Sequence, residues 1–224
     1  STPRPDSMAT YDLTHPVETG MPVYPGDPAV EVRPHATHEA DGYRVSSLAM
    51  GTHAGTHVDA PSHTEPEGST LDRFPADRFR WQARRVDCRD VAPRSPIRVE
   101  DLPDVRPATD LLVLQTGFSD HWGSDRYRDH PYLDAAAAEW CGMRGLDVAV
   151  DAFSVDPTPP AEGDPDPSEP TGVPAHHALL GEGRLIVENL TNLAAPSPDR
   201  FEVAACPLAG AADGAPVEAV AVVE

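Results

Sequence analysis

Short apolar or alternating runs recur along the chain, separated by turn signals such as Pro25-Gly26-Asp27-Pro28 and Ala212-Asp213-Gly214. The pattern predicts strands over residues 10–14, 30–33, 43–50, 84–88, 111–115, 147–151, 184–189, 201–205 and 217–223. One helix stands out: Asp134 is an N-cap residue, Ala135 to Trp140 tolerate a helix, and Gly145 is a stop. Shorter helices are expected at residues 69–74, 99–102 and 175–180. Strands outnumber helices, so the fold class is mixed α/β with a dominant sheet.

Residues 156–171 break the pattern with six prolines and five acidic residues. Such a composition suits a linker. The residues after it carry candidate chemistry, so it reads better as a long surface loop, of the kind that serves as a lid, inside one domain spanning residues 1–224.

Composition narrows the partners. The net charge is −20, and all 17 basic residues are arginine. An acidic surface repels phosphate backbones, so no nucleic acid is expected. The missing lysine removes a Schiff-base nucleophile and a Walker-type phosphate lysine. No apolar run nears the roughly 18 residues needed to span a bilayer, so no membrane is expected. Ser1-Thr2-Pro3-Arg4-Pro5-Asp6 has no basic start before an apolar stretch, so no signal peptide is expected. Cys88, Cys141 and Cys206 form no CxxC pair and no disulfide framework, which fits a cytoplasmic setting and buried, inert thiols.

Five of the ten histidines fall in two windows. The first reads His53-Ala54-Gly55-Thr56-His57-Val58-Asp59-Ala60-Pro61-Ser62-His63. His53, His57 and Asp59 all hold odd positions, so an extended segment would send the three side chains off one face. Gly55, β-branched Thr56 and Pro61 disfavour a helix, and Gly55 would leave room on that face for an ion and its water. Imidazole with carboxylate suits zinc, manganese or iron. His63 is either a further ligand or a proton shuttle; the shuttle is preferred, because three protein ligands leave the open position catalysis needs. In the second window Glu188 sits inside an apolar run and needs a cation, supplied by a metal or by an arginine. His176 or His177 would join it. His35 and His38 read as a solvated face, and His121 and His130 as pocket or loop.

The first window resembles the HxGTHxDxPxH signature of the cyclase family of metal-dependent hydrolases, which includes bacterial kynurenine formamidase, isatin hydrolase and some polyketide cyclases. Asp12-Leu13-Thr14-His15-Pro16, Met21 to Asp27, Thr116-Gly117, Val150-Asp151 and Val187-Glu188-Asn189-Leu190 resemble its other landmarks. The resemblance implies a β-rich domain with a barrel-like sheet and peripheral helices, assembled as a homodimer or homotetramer. It implies one or two ions, zinc or manganese, held by His53, His57 and Asp59 and by His176 and Glu188, with Asp59 bridging. It makes His63 the catalytic histidine. The implied reaction is hydrolysis of the C–N bond of a small aryl formamide or cyclic amide, with a cyclase or dehydratase acting on a polyketide-like intermediate as the alternative. Glu218, where relatives often carry arginine, and the acidic loop depart from the family pattern and are expected to bear on substrate choice.

Overall fold

The structure, a computed structural model, describes residues 8–105 and 108–223. The N-terminal segment in which no signal peptide is expected lies outside the described residues. Twelve strands are β1 (Ala9–Asp12), β2 (Glu31–Ala36), β3 (Val45–Ala49), β4 (His57–Asp59), β5 (Arg80–Asp87), β6 (Pro96–Ile97), β7 (Leu111–Gln115), β8 (Tyr132–Leu133), β9 (Asp147–Val150), β10 (Ile186–Glu188), β11 (Arg200–Pro207) and β12 (Gly214–Val223). The α-helices are α1 (His38–Asp41), α2 (Ala135–Gly142) and α3 (Pro174–Leu180).

The main sheet runs β1-β12-β11-β5-β7-β9-β10-β4, and an additional pairing joins β4 back to β12. Seven strands therefore close into a barrel, with β1 lying along β12 beside β4. Closure depends on the length of β12: residues 214–216 pair with β4, while 220–223 pair with β1. β5, β7, β9 and β10 run parallel, and the remaining pairings in this sheet are antiparallel.

β7 and β9 are apolar on both faces because both faces are covered. Leu111, Val113 and Ala149 point into the barrel with Trp81, Val58, Phe201 and Val203. Leu112, Leu114, Val148 and Val150 point outward against α2 and α3, meeting Ala137, Cys141, Leu179 and Leu180. Each such aliphatic side chain contributes roughly 1.5–3 kcal/mol by leaving water. Asp147 is also buried here. Its oxygens accept from both terminal nitrogens of Arg78, from the Trp81 indole and from the Leu185 amide. Asp134 caps α2 by accepting from the Ala136 amide at 2.8 Å, and Gly145 turns the chain away with φ +72°.

Two of the expected short helices shrink to 3-10 turns, at Leu71–Arg73 and Val99–Asp101, and the third is α3. β5 starts four residues before the expected 84, because Trp81 and Ala83 alternate inward while the arginines on the other face pair outward, as Arg80 does with Glu202. The β2–β3 hairpin is largely exposed. Cys88 and Cys141 are buried, and burial pushes both thiols up to about 12, which keeps them inert; Cys206, expected to be buried, is exposed on β11. Among the described residues no helix is long and apolar enough to cross a membrane.

Candidate metal centre

The site sits where β10 and β12 flank β4, at the C-terminal end of β10. The extended reading of the first window holds only from His57. β4 covers His57–Asp59, Val58 turns into the barrel, and residues 52–56 form a turn. His53 therefore reaches Asp59 by folding back, not by sharing a strand face. Gly55 does not leave space for an ion. It has φ +68°, and a Cβ there would meet Met21 Cε at 2.7 Å. A glycine is needed to turn the chain beneath Met21. The Gly55 carbonyl then accepts from His57 Nδ1 at 2.7 Å.

That bond leaves His57 Nε2 facing the carboxylates, 3.2 Å from Asp59 Oδ1 and 3.5 Å from Glu188 Oε2. His176 is set the same way. Its Nδ1 lies 2.7 Å from Asp156 Oδ2, and its Nε2 lies 3.4 Å from Glu188 Oε1 and 3.7 Å from Asp59 Oδ2. Asp156 also accepts from the Ala175 and His176 amides, which fixes the start of α3. His53 Nδ1 is 2.7 Å from Asp59 Oδ1, and its Nε2 is 3.0 Å from Asp213 Oδ2. The structure thus brings together His53, His57 and Asp59, and beside them Asp59, His176 and Glu188, each set with ligand atoms within 4.8 Å of one another. His177 points elsewhere; it is exposed and bonds Glu65 at 2.7 Å.

Electrostatics mark the centre as built for a cation. Burial would lower His53, but hydrogen bonds and charge from Asp59 and Asp213 outweigh it and hold the ring at about 9. His57 and His176 are raised likewise: burial opposes, and the facing carboxylates win. Burial would raise Asp59, but the imidazoles hold it well below the usual range. Glu188 is pushed up to about 7 by burial and by Asp59. Asp59 and Glu188 thus share one dry space, where the charge of one raises the pKa of the other and the facing carboxylates favour the positive form of the imidazoles. Asp59 Oδ2 is fully buried and has no hydrogen-bond partner. An oxygen so placed costs about 1–3 kcal/mol unless something binds it. The nitrogen-and-oxygen donor set fits a divalent ion.

His63 stands at the rim, its side chain 32% exposed and its Nδ1 3.7 Å from Asp213 Oδ2. Its ring lies 3.9 Å from that of His53. Burial lowers its pKa, with the charges of His53 and His176 opposing Asp59 and Asp213. The local pattern marks Asp213 only as a turn residue, since it reaches His53 through the β12–β4 closure. Gly214 carries the same turn signal, yet a Cβ there would strike the His53 ring, so glycine is required. Asp156 is masked by the composition of the proline-rich loop.

A cavity of about 230 Å³ opens over the centre, walled by Tyr24, Phe153, Val173 and Asn189 as well as the imidazoles. It is smaller than the roughly 300–1,000 Å³ that houses drug-sized ligands, so its occupant is small. Phe153 packs on Tyr127 and Trp122, and Tyr127 donates to Asn189 Oδ1 at 2.9 Å. Glu218 is exposed on β12 and does not line this cavity. His35 and His38 are exposed, His121 is half-buried, and His130 is buried against Thr158 and the Pro131 carbonyl.

Residues 11–157 match the family described as "Putative cyclase". The chain is 35% identical to a kynurenine formamidase of Salinibacter ruber over 220 residues, covering 95% of this chain and 97% of that protein. It is 30% identical to a kynurenine formamidase of Erythrobacter litoralis, covering 88% and 86%. Its fold is similar to an isatin hydrolase bound to thioisatinate (TM-score 0.84, 18% identity, 96% and 92% covered). It is also similar to isatin hydrolase A of Labrenzia aggregata (TM-score 0.81, 22% identity, 96% and 94% covered).

Proposed function

This chain belongs to the cyclase family, and from that premise we propose that it is a metal-dependent hydrolase of small aryl amides, cleaving the C–N bond of an aryl formamide or a cyclic aryl amide. The observation that carries the reading is the buried Asp59 Oδ2, which accepts no hydrogen bond, between the two donor sets. His53, His57 and Asp59 would hold one ion, and Asp59, His176 and Glu188 a second, with zinc or manganese fitting these donors. When bound, such an ion supplies Lewis acidity and a water acidified from about 15.7 toward 7. Tyr24, Phe153 and Val173 seat the aromatic part of the substrate and exclude solvent from the amide. His63, kept neutral near pH 7 by its lowered pKa, accepts a proton on the attacking side and delivers it to the leaving nitrogen. Asp213 orients His53 and lies beside His63, so it serves both. We further propose that residues 1–224 act as one domain, assembled as a homodimer or homotetramer in the cytoplasm. A second reading is ring closure of a polyketide-like carbonyl compound, which the family's description as a cyclase favours.

The test is turnover of N-formylkynurenine and isatin by purified, metal-loaded protein, with and without a chelator. Hydrolysis that stops with the chelator and returns with zinc or manganese supports the reading. Full metal occupancy with neither compound cleaved would sink it. In the same assay His63→Ala should lower turnover by about 10²–10⁴-fold with metal content near normal, whereas equal loss of metal makes His63 a ligand.

A further inference from the structure

Asn189 follows directly on Glu188, the last residue of β10, and lines the cavity over the metal centre. Its backbone has φ +56°, in the left-handed region that side-chain-bearing residues enter at a cost. The surroundings impose that conformation. The Asn189 amide donates to the Ala152 carbonyl at 3.0 Å, and the Asn189 carbonyl accepts from Thr56 Oγ1 at 2.6 Å. Backbone held against its own preference is concentrated where a side chain has to be aimed.

The side chain is aimed too. Its Oδ1 accepts from the Tyr127 hydroxyl at 2.9 Å. Tyr127 is fully buried beside Phe118, Trp122 and Phe153, and among the described residues Asn189 is the one hydrogen-bond partner of its hydroxyl. Were the Asn189 amide reversed, the phenol proton would have no acceptor, at a cost of about 1–3 kcal/mol. Burial, with the charges of Asp151 and Glu188, holds the phenol well above its ordinary pKa, so it keeps the proton that it donates. Nδ2 therefore points away from Tyr127. It makes no hydrogen bond among the described residues and, unlike Asp59 Oδ2, it is not sealed in, so it opens on the cavity that Asn189 lines.

An open N–H asks for an acceptor. Asp27 and Glu188 line the same cavity and disfavour an anion, so an uncharged carbonyl oxygen fits best. Phe153 packs on Tyr127 with ring centres 4.5 Å apart, so the aromatic wall and the fixed amide form one unit beside the metal centre.

We propose that Asn189 is a catalytic residue whose Nδ2 donates to the carbonyl oxygen of the substrate amide, with Tyr127 as the positioning residue that decides which end of the side-chain amide faces the cavity. The step itself rests on the hydrolase reading. When water adds to the carbonyl carbon, the π pair moves onto that oxygen and the hydrogen bond strengthens. The pair returns as the C–N bond breaks and His63 delivers the proton to nitrogen.

The test uses the full, metal-loaded chain and two unreactive probes of one shape, acetophenone and α-methylstyrene, titrated calorimetrically near neutral pH. The ketone should bind more tightly. Asn189→Asp keeps an acceptor for Tyr127 and tolerates the backbone conformation, but it removes both N–H donors. At equal metal content it should lower the ketone preference about tenfold, and lower kcat/KM for formanilide about 10²–10³-fold. Tyr127→Phe, which keeps the ring in the wall, should lower the preference about threefold. Equal affinity for the two probes in the unmutated protein overturns the assignment. So does an unchanged preference in a folded, metal-replete Asn189→Asp protein. If that variant does not fold or loses its metal, Tyr127→Phe decides alone, and an undiminished preference there overturns the assignment as well. If the preferences shift as expected but the unmutated protein cleaves no aryl formamide, the hydrolase reading fails and Asn189 stands as a carbonyl-binding residue.

Discussion

Asp147 and Asp59 are both fully buried carboxylates on strands of one barrel, and they live in opposite surroundings. Asp147 has four donors: two from Arg78, one from Trp81 and one from the Leu185 amide. Asp59 has imidazoles on one oxygen, while the other accepts no hydrogen bond and has only His176 Nε2 nearby, at 3.7 Å. Saturating a carboxylate with fixed donors makes it part of the frame. Leaving it half-partnered beside Glu188 and three histidines keeps a place open for a cation that the chain itself does not provide.

The contrast is easiest to break with Asp59→Asn. Turnover and bound metal should both fall to background while circular dichroism shows a folded chain; retained metal and activity would remove Asp59 from the centre. Asp147→Asn should do the reverse, costing about 3 kcal/mol in urea unfolding because an amide cannot accept from all four donors, with activity per folded molecule kept. If it loses metal at unchanged stability, the division between frame and centre is wrong.

The histidines extend the comparison. His57 and His176 are raised by facing carboxylates, whereas His130 is lowered to about 4, chiefly by burial. Unfolded, His130 returns to 6.5 and takes up its proton first, so stability falls as pH drops from 6.5 toward about 4 and is fully present above 6.5. The share from His130 approaches about 3 kcal/mol. His130→Gln should flatten the pH dependence of the urea midpoint over that window; an unchanged slope would assign the acid sensitivity elsewhere. The smallest effect is expected of Asp213→Asn. Orienting His53 from outside should be worth about 10–100-fold in metal affinity by chelator competition, with the fold intact. Unchanged affinity would leave Asp213 no part in holding the ring.

Legibility in the sequence divides along the same line. β7 falls on the residues its apolar run marks, and α2 starts at the cap its sequence supplies. Both are local effects of burial and capping. The choice of His176 over His177 and the joining of the two windows come from the family resemblance, whereas the grouping of His53, His57 and Asp59 is legible from their chemistry and spacing. The path of the chain between His53 and His57 is not, since Gly55 answers to Met21, which lies far off in the sequence. Asp213 and Gly214 carry only a turn signal because their purpose is set by a ring 160 residues away. The two-residue strands β6 and β8 pair only with each other and leave no periodicity to detect.

The seam between β4 and β12 ties assembly of the centre to the closing of the barrel. Strands that meet across so long a stretch of chain close loops of high entropic cost. Asp213 comes within reach of His53 only when that seam is paired, so tight capture of an ion would report a closed barrel. Metal retained by a preparation would then count the molecules whose seam is shut.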